Sequence, residues 1–377
     1  MKPNLTPSFD APRAQTVHRL AQQERFTLLG IAPARPSEHG PFLKDWLTAG
    51  KHGEMAYLGE HVEQRLDPTL IVPEARSIIC VADAYAWQAP EDQGRETVSP
   101  DAAMNVPGRI ARYAWRRDYH RDLKKRLHNL ADAMRGIWPE HTFRTTVDTA
   151  PVLEREHAQR AGLGWVGKHT LLIHPTLGSW FLLGEIITTL PLQTSIDAAQ
   201  AIRTNHCGQC TRCIQACPTQ AITPYSVDAS RCVSYLTLEH RGPIDPSLHE
   251  GMGTWIAGCD ICQEVCPFNQ EPAKTETARI DGHVSLPLLE VMNWNVHARQ
   301  AALQGSALKR IKLDQFKRNA IIAAGNYIQK QPGDEASVKL RQRIAELAQD
   351  AQESDLVRLT ASQVLDRLRA RAAASGL

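Results

Sequence analysis

The sequence predicts an α+β protein made of three successive regions. Strand-like and helix-like patterns alternate up to about residue 195, eight of the nine cysteines lie between Cys207 and Cys266, and apolar positions recur at helical spacing from residue 287 onward. A chain of 377 residues is long enough for two to three domains with substantial cores. We therefore divide it into an α/β domain, a cysteine-rich domain and a helical domain, at residues 1–195, 196–272 and 273–377.

The first region carries the alternation of strands and helices. Residues 77–84 (SIICVADA) are a short apolar run that predicts a buried strand, and residues 118–138 are amphipathic enough to predict a helix. A second strand is expected at 142–147. A helix should follow from about Pro151, because proline suits the first helical turn. Two further strands are expected on either side of a turn at 175–178.

The remaining segments are predicted from the same patterns. Residues 12–61 place apolar side chains at helical spacing, whereas residues 90–105 lack periodicity and predict an exposed loop. In the third region, residues 316–329 and 335–349 predict successive helices. Two-helix units of this kind are typical of a HEAT-like array.

Composition and charge bear on whether the protein binds nucleic acid, is secreted or spans a membrane. The formal net charge is +2, so a nucleic-acid partner would need a local basic patch. Residues 1–10 are polar and lack an apolar core, so no signal peptide is expected. The longest apolar stretch, residues 171–192, is interrupted by Pro175, Gly184 and Glu185, which argues against a membrane span. These features predict a cytoplasmic protein without a membrane partner.

The cysteine spacing predicts two iron–sulfur clusters. Cysteines at x2-x2-x3 spacing followed by proline, as at 207–218, form a bacterial ferredoxin run, in which the fourth thiolate ligates the other cluster. A second run at 259–267 is one cysteine short, and Cys232 can complete it. Crossed ligation then gives one set of Cys207, Cys210, Cys213 and Cys266, and another of Cys217, Cys232, Cys259 and Cys262.

Zinc binding fits the cysteines less well. Two tetrahedral zinc sites would also need eight thiolates, but the spacing and the proline after each run favour cubane clusters. Cys80 stands apart in an apolar run and is expected to be a buried core thiol. Clusters transfer single electrons, and no dinucleotide or phosphate-binding loop is found; residues 162–168 lack the spacing that such a loop requires.

Several motifs together resemble the epoxyqueuosine reductase family. They lie in the expected order between about Gly53 and Asn326. The motifs are DTAPVLER at 148–155, AGLGWVGKHT at 161–170, GSW at 178–180, LGEI at 183–186, RCVSYLT at 231–237, GCDICQ at 258–263, RN at 318–319 and GN at 325–326.

The resemblance implies a concrete reaction. Such enzymes use cobalamin and two [4Fe–4S] clusters to reduce epoxyqueuosine to queuosine at the wobble position of tRNA. It also implies that Asp148 is the general acid, because the motif places the family's acid there. Burial beside the corrin ring would raise the pKa of Asp148. The alternative is that Asp148 only caps the helix that follows it.

The cobalamin contacts come from the resemblance as well. The Asp-x-His-x-x-Gly motif that supplies a histidine to cobalt is absent, since Leu123 stands where glycine would follow Asp118 and His120. This absence agrees with base-off binding without a protein ligand on cobalt, which the family resemblance implies. The candidate corrin contacts are Arg65, Asp148, Trp165, Lys168, His169, Leu172 and Ser234.

Two basic segments predict the tRNA surface. Residues 109–126 carry eight Lys or Arg against two Asp, interleaved with Tyr113, Trp115 and Tyr119, as an RNA loop with unpaired bases requires. The alternative is a solvated helix face with buried aromatic side chains. A second basic segment spans 309–318. The candidate contacts to the tRNA anticodon stem-loop are Arg116, Arg117, Arg241, Lys317 and Arg318.

Three other functions stay open from the sequence. A reductive dehalogenase-like enzyme shares cobalamin and two clusters, a ferredoxin module would transfer electrons within a larger complex, and a zinc protein would bind RNA without catalysis. Bound corrin together with tRNA-dependent turnover would distinguish an epoxyqueuosine reductase from these three alternatives. We also expect a monomer that receives electrons from an external low-potential donor.

Overall fold

The computed structural model describes residues 11–85, 106–194, 206–270 and 282–375. The predicted 90–105 loop and the region boundaries near 195 and 272 lie outside these residues. The strands are β1 (Leu28–Pro33), β2 (Ser77–Ala84), β3 (Pro107–Ile110), β4 (Phe143–Thr146), β5 (Trp165–Val166), β6 (Leu172–Ile173), β7 (Phe181–Thr188), β8 (Ile222–Thr223), β9 (Ser226–Val227), β10 (Trp255–Ala257) and β11 (Ser285–Pro287).

Helices surround these strands. They are α1 (Pro12–Gln23), α2 (Gly40–Thr48), α3 (Val62–Leu66), α4 (Tyr119–Ile137), α5 (Glu154–Arg160), α6 (Arg212–Ala216), α7 (Val233–Leu238), α8 (Pro246–His249), α9 (Ile261–Glu264), α10 (Leu288–Asn293), α11 (Val296–Ala302), α12 (Leu313–Lys330), α13 (Glu335–Gln349) and α14 (Asp355–Ser375). Within the described ranges, none of the helices combines the length and apolar character needed to cross a membrane.

A four-stranded antiparallel sheet organises the first region, in the order β1-β2-β7-β4. Strands β1, β2 and β7 are buried along most of their length, since helices cover both faces of the sheet. The apolar stripe of α4, which includes Leu123, Leu127 and Leu130, packs on one face. Ala158 of α5 belongs to the core on the other face, together with the buried Cys80. Cys80 is thus a core thiol, as predicted.

The second and third regions share one core. Strand β3 from the first region lies between β10 and β11. Apolar residues of β3, α7, β10, α10, α12, α13 and α14 form a single buried cluster. The side chain of Asn319 on α12 donates to the backbone oxygens of Thr237 and Ile256, each at 2.9 Å. The helical region therefore packs directly on the cysteine-rich region and has no separate core.

Several predicted elements are confirmed, but most of the short strands were not predicted. The strand at 77–84 and the helix at 335–349 have the predicted bounds. Strand β1 was not predicted, because its short apolar run falls between two helical patterns. The predicted turn at 175–178 is confirmed by an antiparallel bridge between His174 and Gly178. The pairing does not extend into a hairpin of β6 and β7; β6 pairs with β5, and β7 with β2 and β4.

Candidate active site

The first predicted cysteine set lines one cavity. Its volume is about 280 Å³, and Cys207, Cys210, Cys213 and Cys266 are all on its wall. Burial raises the pKa of Cys266 to about 11, and the neighbouring Cys207, Cys213 and Cys210 raise it further. The four thiols are thus close enough to affect one another. Crossed ligation had assigned this set although Cys266 lies far from the others in sequence.

The second predicted set also converges. Cys232 lies at the start of α7, Cys259 and Cys262 flank the start of α9, and Cys217 follows α6. Burial raises the pKa of Cys259, and the adjacent Cys232 and Cys217 contribute to the increase. Cys232 and Cys259 pack against the large shared core. The second set therefore lies at the edge of that core, with all four cysteines partly buried.

All nine cysteines are free thiols. Among the described residues, no three His, Cys, Asp or Glu side chains converge closely enough to hold a single metal ion. A cubane needs a wider arrangement, because each of its four thiolates binds a different iron. Backbone donors are also in place, since the amide of Ala221 donates to Sγ of Cys217 at 3.3 Å. The donor set fits two cubanes.

Residues predicted to contact the corrin surround the first cysteine set instead. Nζ of Lys168 donates to the backbone oxygens of Gly208 at 2.7 Å and Cys210 at 3.0 Å. Trp165 is 2 % exposed and packs with Cys207 and Cys266. Lys168 and Trp165 thus contact the loop and the thiols of the first cysteine set, and their predicted contact with a corrin stays a prediction.

His169 also lies beside the first cysteine set. Its ring is buried on the wall of the cavity, and Nδ1 accepts a hydrogen bond from the amide of Leu171 at 3.1 Å. Burial, followed by the nearby Arg155, lowers the pKa of His169 to about 4. The imidazole is therefore neutral at physiological pH.

The other proposed corrin contacts differ in accessibility. Leu172 is 3 % exposed within the core beneath the sheet, so its side chain is not available and that assignment is corrected. Ser234 is half-buried in the first turn of α7, beside Cys232. Arg65 is half-buried, and its Nε is buried without a hydrogen-bond partner in the described part of the chain.

Asp148 lies at the end of β4, where the sequence predicted it. Its backbone has a positive φ of 54°, an uncommon conformation for a residue with a side chain. The side chain is 50 % exposed, and Oδ2 lies 2.9 Å from Nε2 of His120. Asp148 is not a helix cap, since the cap position of α5 is Leu153. The helix-cap alternative is therefore wrong.

His120 connects two carboxylates. Its Nδ1 lies 2.7 Å from Oδ1 of Asp118, while Nε2 faces Asp148. The hydrogen bond with Asp148 is the main cause that raises the pKa of His120, and the same bond lowers the pKa of Asp148. In this structure the hydrogen bond with His120 favours the carboxylate form of Asp148. The raised pKa expected for Asp148 beside a corrin ring stays a prediction.

Basic and aromatic groups surround this Asp118–His120–Asp148 triad. Nζ of Lys309 lies 3.6 Å from Asp118, and the nearby Arg310 further lowers the pKa of Asp148. Tyr119 stacks on His120 with the ring centroids 4.0 Å apart. The helical region thus contributes two cations to a site built mainly by the first region.

A buried acid lies behind Asp148. Oε1 of Glu154 accepts a hydrogen bond from the Asp148 amide at 2.7 Å. Burial raises the pKa of Glu154 to about 8, and the neighbouring Glu185 contributes to this increase. Glu185 is itself buried, 3.1 Å from Nδ1 of His157. Glu154 therefore carries a proton at neutral pH and holds the backbone at Asp148.

The predicted tRNA contacts separate into exposed and buried residues. Arg117 and Arg241 are exposed, and Arg116 is half-buried. Lys317 is 5 % exposed and forms an ion pair with Glu353. Arg318 is fully buried and donates to the backbone oxygens of residues 236, 240 and 242. Lys317 and Arg318 are thus structural and unavailable to phosphate, which corrects their assignment.

The sequence did not identify three residues of the site. His120 was considered only as part of a cobalt-binding motif, Glu154 only as part of a family motif, and Arg310 only within a basic run. The Asp-Tyr-His triplet at the start of an amphipathic helix was a usable signal for His120. No local signal predicted the contact of Glu154 with the Asp148 amide.

The fold and the two cysteine sets define an iron–sulfur oxidoreductase with two clusters. A family model for a 4Fe-4S double cluster binding domain matches residues 206–269, and a model described as epoxyqueuosine reductase QueG, DUF1730 matches residues 65–149. The first match covers all eight clustered cysteines. It identifies the metal as iron and makes the zinc alternative wrong.

Known proteins give the particular family. An epoxyqueuosine reductase of Burkholderia pseudomallei is 40 % identical over 350 residues, covering 86 % of this chain and 84 % of the relative. One of Pseudomonas aeruginosa is 36 % identical over 329 residues, covering 86 % of this chain and 88 % of the relative. This chain belongs to the epoxyqueuosine reductase family and is an oxidoreductase that reduces epoxyqueuosine.

Solved structures show the same fold. A crystal structure of a selenomethionine-labelled epoxyqueuosine reductase has a TM-score of 0.80 at 24 % identity, covering 94 % of this chain and 90 % of that one. An epoxyqueuosine reductase with an epoxyqueuosine-modified tRNA-Tyr stem loop has a TM-score of 0.76 at 22 % identity, covering 95 % of this chain and 99 % of that one.

Proposed function

We propose that this chain reduces epoxyqueuosine to queuosine at the wobble position of a tRNA, with cobalamin and two [4Fe–4S] clusters as cofactors. The observation that carries the proposal is the half-exposed Asp148, hydrogen-bonded to His120. Opening an epoxide requires a proton at the leaving oxygen, and a positioned acid–base pair supplies it. The solved relative that carries a modified tRNA stem loop supports an RNA substrate.

The chain's own residues supply the proton. Oδ2 of Asp148 faces His120, and hydrogen bonds with the two carboxylates of Asp148 and Asp118 raise the pKa of His120. His120 transfers its proton to Asp148, and Asp148 donates that proton to the leaving oxygen. Cobalamin supplies, when bound, a strongly reducing cobalt centre. The half-buried Arg65 and Ser234, at the positions implied by family resemblance, would hold the corrin when it is bound.

The cysteines provide the electron path. Cys213 of the first set and Cys217 of the second lie on the same short segment around α6, so the chain holds the two clusters close together. The first set is adjacent to exposed loop residues such as Gly208 and Arg212. We place the entry of electrons there, from an external low-potential donor. We also place the protein in the cytoplasm, as a monomer, since clustered thiols suit a reducing compartment.

Anaerobic reconstitution with iron, sulfide and cobalamin tests the proposal. We expect about eight irons and one corrin per chain, and conversion of epoxyqueuosine-containing tRNA under reducing conditions. Iron uptake without corrin uptake would overturn the cobalamin part of the proposal. If both cofactors load but the tRNA is not converted, the proposed substrate is wrong.

A further inference from the structure

The hydrogen-bonding state of His169 is fixed by its neighbour. Nδ1 accepts the amide hydrogen of Leu171 at 3.1 Å, so Nδ1 carries no proton. A neutral imidazole then carries its hydrogen on Nε2. His169 therefore presents one N–H donor, and its ring orientation is set by the backbone.

That donor has no partner within the described residues. Nε2 of His169 is buried and makes no hydrogen bond, although leaving a buried donor unpaired is unfavourable. The residue lies on the wall of the cavity that Cys207, Cys210, Cys213 and Cys266 share. What this donor lacks is an acceptor inside the cavity, and sulfide or thiolate sulfur of a cubane provides one.

Lys168 acts at the same place. Its Nζ donates to the backbone oxygens of Gly208 and Cys210, on the loop that carries the first two cysteines of the set. A fixed positive charge thus lies beside the cavity. The adjacent residues Lys168 and His169 both serve the first iron–sulfur site.

We propose that Nε2–H of His169 donates a hydrogen bond to sulfur of the first [4Fe–4S] cluster and raises its reduction potential. Reduction adds one electron to the cluster and moves no proton, so the reduced form is more negative by one charge. A hydrogen-bond donor stabilises that form more than the oxidised form. The inference rests on the two-cluster part of the proposed function and is independent of cobalamin and tRNA.

The test measures the cluster potentials of the full-length, iron-reconstituted protein by a redox titration followed by electron paramagnetic resonance. His169→Phe keeps a ring but removes the donor, whereas His169→Gln keeps an N–H donor. For His169→Phe we expect the equilibrium constant for reduction of one cluster to fall roughly tenfold. The potential of that cluster then becomes more negative by about 59 mV, the value for one electron. His169→Gln should stay closer to the parent.

His174→Phe is the matched control. His174 is also buried, and its Nδ1 also accepts backbone amides, but it is not on the cavity wall. We expect both potentials of this variant to match the parent. A shift in His174→Phe equal to that in His169→Phe would overturn the proposal, as would unchanged potentials in His169→Phe.

Iron content separates this inference from the proposed function. If His169→Phe fails to load the first cluster, His169→Gln becomes the test variant. A potential of His169→Gln equal to that of the parent supports the proposal, and a more negative potential overturns it. If the parent itself binds no cluster, the two-cluster part of the proposed function fails as well. A lowered potential with tRNA conversion absent in the parent would support the inference and reject only the proposed substrate.

Discussion

Nε2 of His120 lies 2.9 Å from Oδ2 of Asp148, although the two residues are 28 positions apart in the chain. Helix α4 begins with Tyr119 and presents His120 in its first turn, and β4 ends just before Asp148. The packing of α4 on the sheet brings these two ends together. The pair is an ionisable unit at the surface of the site, and its proton resides on the imidazole.

Asp148→Asn should nearly abolish turnover. The amide keeps the shape of the carboxylate but cannot transfer the proton, so we expect kcat to fall by about a hundredfold or more. Binding of the tRNA stem loop should change little. Asp122→Asn is the control, because Asp122 is an exposed acid on α4, the helix that carries His120. Full turnover of Asp148→Asn would remove it from the mechanism.

The His120–Asp148 pair should stabilise the fold over a defined pH range. Because Asp148 raises the pKa of His120 above 6.5, the contribution of His120 is complete below that value and is lost as pH rises through the raised pKa. The pKa of Asp148 is lowered below 3.8, so its contribution is lost only in stronger acid. The difference in melting temperature between the parent and His120→Gln should therefore be larger at pH 6 than at pH 9. His128→Gln, an exposed histidine of α4, should show no such trend.

Glu154 should protect the Asp148 amide from hydrogen exchange. Glu154→Ala removes the acceptor of the 2.7 Å bond, so exchange at Asp148 should accelerate. Glu154→Gln keeps a carbonyl acceptor and matches the neutral acid that a pKa of about 8 gives at pH 7. We expect it to exchange like the parent. Equal exchange in the alanine variant and the parent would show that the bond does not hold this loop.

Arg318→Met should destabilise the fold without acting through RNA. It removes the donors to three backbone oxygens in the interior, so we expect the free energy of unfolding to fall by about 3 kcal/mol. Arg341→Met, an exposed arginine on α13, should change it by less than about 0.5 kcal/mol. Denaturant unfolding of both variants measures this. Stability equal to the parent in Arg318→Met would contradict a structural role.

The exposed arginines should carry the salt dependence of tRNA binding. If Arg117 and Arg241 each contact a phosphate, replacing either with Gln should weaken binding and reduce the slope of log K against log salt by about one. Arg341→Gln is the control on a distant helix. An unchanged slope in both variants would place the RNA on another surface.

The sequence by itself determined the two cysteine sets, because cluster ligands are set by local spacing and by a ligation rule. It also determined α4 and α13, whose apolar periodicity is strong. The position of Asp148 at the end of a strand was likewise predicted, since the apolar run before it was distinct.

Only the tertiary structure decided which charged and polar side chains face the site. A basic run reads the same whether an arginine is solvated or, like Arg318, satisfies backbone oxygens inside the core. Lys168 reaches Gly208 and His120 reaches Asp148 across distances that periodicity does not encode. Backbone pattern fixes which segments form helices and strands, whereas packing between segments fixes the hydrogen-bond partner and therefore the role of each polar side chain.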